Sequence, residues 1–127
     1  MWRTTMWHFL FIHRFFLACV VLGLSLLATS TQAMTLRELR ALEKNDKQGE
    51  NYVNYYLVGV IEGVLETDAH RVRDGAKPTI CLNGRRLQPS MARSLFDTEL
   101  QRNDGVYEAD MPVQLVLRNA LATVYSC

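Results

Sequence analysis

The uneven spread of charge constrains this chain more than any other feature. Residues 1–33 hold two charged basic side chains, Arg3 and Arg14, and no acid. With His8 and His13 these form a basic leader, followed by a mainly apolar run from Phe15 to Ala28. Thr29 to Ala33 is small and polar, with Thr31 and Ala33 at the −3 and −1 positions of a cleavage site. The pattern predicts a secretory signal peptide over 1–33. An uncleaved anchor wants about 20 apolar residues, and His13-Arg14 interrupts any longer run. Cys19 lies inside the apolar run, whereas a lipidation site places its cysteine after it. The fold is therefore expected to rest on 34–127 alone, which carries 12 of the 14 Lys and Arg and all 13 Asp and Glu. A piece so near neutrality has no bulk electrostatic case for nucleic acid, or for a membrane surface once the signal is removed. It is also too short for the large cofactor-binding enzyme folds. A core this small often needs a covalent staple.

Export supplies one. Two cysteines remain after cleavage, Cys81 and Cys127, and in an oxidising compartment an even pair in a small domain reads as a disulfide. Closing a loop of this length stabilises by about 4 kcal/mol in the chain-entropy account. A redox or metal role has little support, since there is no Cys-x-x-Cys and 34–127 contains one histidine, His70.

The hydrophobic periodicity predicts an all-α domain of about four helices. Thr35-Leu36-Arg37-Glu38 is a capping-box signature that opens a helix over 35–45, broken by Asn45 to Gly49. Val53, Leu57, Val60 and Val64 recur at helical spacing through 50–70. Gly59 and Gly63 lie four apart in that helix at about 1 kcal/mol each, which suggests close approach of another helix. The segment 71–88 reads as loop, with turn signals at Asp74-Gly75, Lys77-Pro78 and Asn83-Gly84. An irregular turn into the next helix is favoured there over a hairpin. A third helix spans 89–102, with Met91, Leu95 and Phe96 inward. The last has Asp110 as N-cap, Pro112 in its first turn, and Val113, Leu117, Ala120 and Val124 as its apolar stripe.

No constellation for catalysis emerges. Glu62, Glu66 and His70 share a helix face at spacing a metal tolerates, but with no fourth ligand they read as a solvated face. No serine or cysteine has a base beside it, no glycine-rich phosphate loop exists, and no cofactor or metal is expected. The feature that stands out is a cationic cluster around Cys81: Arg71, Arg73, Arg85 and Arg86, with Asp74 among them. Loops held by a disulfide are pre-organised, which lowers the entropy cost of binding. These five are the candidate partner contacts.

Three blocks carry a family resemblance. Gly49 with Tyr52-Val53 and Tyr56 to Gly63 form a glycine-, tyrosine- and valine-rich helix with an acid, Glu62. Ile80-Cys81-Leu82 follows a loop. Val113 to Leu117, Ala120-Leu121 and the terminal Cys127 close the chain. In order and spacing these resemble the Rap/Tai family of immunity proteins against type VI secretion amidase effectors, across nearly all of 34–127. Asn83-Gly84 stands where that family usually has a proline, and Tyr125-Ser126-Cys127 where it often ends in Phe-Pro-Cys. The resemblance implies a helical periplasmic protein, often a homodimer, that blocks a peptidoglycan-cleaving amidase without catalysis or cofactor. The alternative is a periplasmic acid-stress-type chaperone, or an exported adaptor, since such proteins are also small, helical and bridged by one disulfide.

Overall fold

In the computed structural model, residues 33–127 are described; the expected signal segment, Ala33 apart, lies outside them. Four helices follow in order: α1 (Leu36–Asn45), α2 (Gly49–Arg73), α3 (Pro89–Arg102) and α4 (Val113–Val124). Among the described residues there is no strand, only isolated bridges pairing Thr35 with Pro112 and Ile80 with Ser126. The all-α, single-disulfide reading of the sequence is the observed fold. No helix among the described residues is long and apolar enough to cross a membrane.

The capping box forms. The Glu38 amide donates to the Thr35 hydroxyl at 3.2 Å, and the Thr35 amide donates to the Glu38 carboxylate at 2.7 Å. The starts of α1 and α4 then satisfy one another. The Val113 amide donates to the Met34 carbonyl at 3.0 Å, while those of Leu36 and Arg37 donate to Met111 and Ala109 at 3.0 and 2.8 Å. First-turn donors that no helix can pair internally are met this way. Asp110 is consequently not the N-cap of α4. Pro112 holds that position, and Asp110 instead takes the Arg37 guanidinium at 2.9 Å.

α2 packs on each of the other three helices, and α3 packs on α4. Val53, Leu57, Val60 and Ile61 of α2 meet Leu36 and Leu39, then Ala92, Leu95 and Phe96, then Val113, Val116, Leu117, Ala120 and Leu121 of α4, all buried. Burying each such large side chain contributes about 1.5–3 kcal/mol. Two expected core positions face out. Met91 is exposed because the inward stripe of α3 runs Ala92, Leu95, Phe96 and Glu99, one position further on. Val124 is exposed because the buried stripe of α4 ends at Leu121 and Tyr125 turns in after it.

The glycines divide. A side chain at Gly49 would strike the Leu42 carbonyl and the Glu43 backbone, so the turn from α1 into α2 needs glycine there. At Gly59 and Gly63 an added Cβ meets nothing within 4 Å. The close helix approach expected from their spacing is therefore not made by any described part of this chain.

Candidate partner-binding site

α2 runs one turn further than its sequence suggested, because Asp74-Gly75 ends it rather than His70. Gly75 takes φ +91°, its amide donates to Val72, and the Ala76 amide reaches back to Arg71, each at 3.0 Å. This pair of bonds around a left-handed glycine is a Schellman closure. Arg71 and Arg73 thus stand on the last helical turn, not in a loop, where cations favour the negative end of the helix dipole.

The loop that follows is fixed from two sides. On one side is Asp68, a buried carboxylate of α2. It accepts the Thr79 hydroxyl at 2.6 Å and the Thr79 and Ile80 amides, each at 3.3 Å. The Thr79 hydroxyl above all holds the Asp68 carboxyl below the usual range, with the two amides and Arg71 adding to it against the opposing effect of burial. On the other side the Cys81–Cys127 disulfide spans 5.0 Å between Cα atoms across a sequence separation of 46. The Cys81 amide adds a bond of 2.7 Å to the Tyr125 carbonyl. Beyond it the Arg85 amide closes a tight turn on Leu82 at 2.9 Å, with Asn83 and Gly84 at φ +50° and +77°. That geometry suits Asn-Gly, but no strand extends from it; the chain passes to α3 at Pro89.

The five candidate contact residues fall into two groups. Arg71, Arg73 and Asp74 cluster at the end of α2, each against a partner: Arg71 and Asp68 form an ion pair at 3.3 Å, Arg73 and Glu66 another at 2.8 Å, and the Asp74 carboxylate lies 3.0 Å from the His70 Nδ1. Arg73 in turn holds the Glu66 carboxyl below its ordinary range. Arg85 and Arg86 sit exposed in and after the Asn83-Gly84 turn, with no ion pair among the described residues. Glu62, Glu66 and His70 remain on a solvated face, two of them occupied by these pairs.

A groove of about 840 Å³ adjoins the loop, between α2 and α4. Tyr56, Val60, Val64, Ile80 and Leu115 give it apolar walls, and Gly59 and Gly63 leave one wall without side chains. Arg71 and Arg118 face it from α2 and α4.

Two residues that matter here escaped the sequence reading. Asp68 lies on the 57–60–61–64 apolar stripe, where a carboxylate is out of place unless something pairs with it. Thr79, its main partner, has no local signal. The same logic applies to Glu99 on the inward stripe of α3, 3% exposed. It accepts the Tyr107 hydroxyl at 2.7 Å and the Asn103 amide at 2.8 Å, tying the 103–112 connection to the bundle.

These features define a small four-helix domain with a doubly anchored cationic loop. No family model, no curated protein and no solved structure matches the chain.

Proposed function

We propose that this chain is a periplasmic immunity protein that binds and occludes a peptidoglycan amidase toxin of a type VI secretion system. It acts by binding, without catalysis or cofactor, as a homodimer released after cleavage behind Ala33. The observation that carries the reading is the loop held at Thr79-Ile80 by Asp68 and at Cys81 by the disulfide. An inhibitor that fills an enzyme cleft gains affinity from a segment already ordered before binding. Arginines flank this one on both sides, and arginine is enriched among interface hot spots. The family resemblance across the three sequence blocks supplies the target class.

The test is co-expression with a peptidoglycan amidase toxin directed to the periplasm, taken from the adjacent reading frame if that frame encodes one. Cells carrying the protein should survive and yield a complex of the two. Unchanged lysis without a complex, together with suppression of acid aggregation of unrelated proteins, would replace this reading with the chaperone one.

A further inference from the structure

The groove between α2 and α4 shares Arg71 and the Asp68–Thr79–Ile80 anchor with the reading above, but its apolar floor has no part in it. Its floor is apolar, and it is open where Gly59 and Gly63 withhold a Cβ and nothing else of the described chain fills the space. Its volume of about 840 Å³ falls in the range of sites that enclose small molecules. The charge around that floor is cationic. Arg118 forms no ion pair among the described residues. Arg71 commits one N–H to Asp68 at 3.3 Å, and four donors of its guanidinium fork remain. Asp68 is the one acid in the lining, and its oxygens are taken by Thr79 and Ile80. Gln114 also lines the groove, and its buried Oε1 has no hydrogen-bond partner.

We propose that this groove binds an amphiphile with a single carboxylate head and an apolar body, the chemistry of a long-chain fatty acid. The apolar body lies along Val60, Val64 and Leu115 over the bare glycines. The carboxylate meets Arg118 and Arg71, whose planar forks match it two bonds at a time. Head and body are both required. A small carboxylate alone gains only exposed ion pairs, which contribute little. A neutral amphiphile leaves Arg118 without a counter-charge. The inference does not rest on the toxin reading, although Arg71 serves in both.

The experiment titrates dodecanoate, below its micelle concentration, into the 15N-labelled oxidised compact unit Ala33–Cys127. Saturable shifts are expected at the amides of Gly59, Gly63 and Leu115. Acetate and dodecyl maltoside should bind weaker by about tenfold or more. Arg118→Ala, at an exposed side chain, should weaken dodecanoate by a similar factor, and Gly63→Leu should abolish binding by filling the floor. Thermal melts of both variants verify that they fold. Equal binding of the maltoside, shifts centred elsewhere, or no saturation overturns the proposal. So does a change from dimer to monomer on Gly63→Leu, which would make the groove a subunit seam.

Discussion

Replacing Asp68 with alanine removes the inner anchor of the contact loop. In the native fold its carboxylate accepts the Thr79 hydroxyl at 2.6 Å and the Thr79 and Ile80 amides at 3.3 Å. The short bond to an ionised acceptor contributes about 1.5–3 kcal/mol, and a buried amide left without a partner costs about 1–3 kcal/mol. The two amide bonds are long, and water reaches the loop once it loosens, so the sum is expected near 3 kcal/mol rather than at the top of these ranges. With a urea m-value of about 1–1.5 kcal/mol per molar, the unfolding midpoint should fall by roughly 2–3 M. Asp68→Asn keeps an acceptor oxygen and should lose about half as much. The acid dependence gives a second readout. The folded carboxyl lies below its unfolded value, so its stabilisation is complete above the unfolded value near 3.9. It is lost as pH falls through the folded value. Stability should therefore drop with acid more steeply in the native protein than in Asp68→Asn. Urea melts at pH 7 and across the acid range measure both. An Asp68→Ala midpoint within error of the native one, with unchanged hydrogen exchange at Thr79, Ile80 and Cys81, would refute the anchoring argument.

The disulfide should be worth up to about 4 kcal/mol for its loop length, so Cys81→Ser with Cys127→Ser should lower the melting temperature markedly, and oxidised intact mass should lie about 2 Da below the reduced mass. Gly63→Ala should stabilise by about 1 kcal/mol, because the new methyl meets nothing within 4 Å; a loss of stability in thermal melts would show that the space is filled in solution. Tyr107→Phe should cost about 1–2 kcal/mol by removing the donor at 2.7 Å from the buried Glu99 carboxylate, read from the same melts.

Features with a local cause were legible in the sequence. Thr35 and Glu38 announce a cap because its two bonds lie within one turn. Val53, Leu57 and Val60 announce a buried face by their period, and two cysteines admit one pairing within a chain. Features set by distant partners were not. Arg71 and Arg73 read as loop because Asp74-Gly75 and Pro78 lie near, and the Schellman bonds that keep them helical depend on where Ala76 folds back. Asp110 looks like an N-cap until Met34 supplies the acceptor for Val113 and Arg37 claims its carboxylate. Gly59 and Gly63 look like a helix contact because spacing reports a bare face, not what covers it. Asp68 was visible as a misplaced carboxylate, but only the returning loop shows that Thr79 and Ile80 pair with it.

On the proposed function, the loop anchored by Asp68 and Cys81 is the binding edge for a cell-wall amidase. Calorimetric titration of a type VI peptidoglycan amidase is the direct measurement, using the native protein and single alanine variants at Arg71, Arg73, Asp74, Arg85 and Arg86. The account predicts a tight complex that abolishes peptidoglycan cleavage. At least one of the arginine variants should weaken it by about 2 kcal/mol, roughly thirtyfold, with melting temperature unchanged. No heat of binding and undiminished amidase activity, or a complex that all five substitutions leave intact, would contradict it.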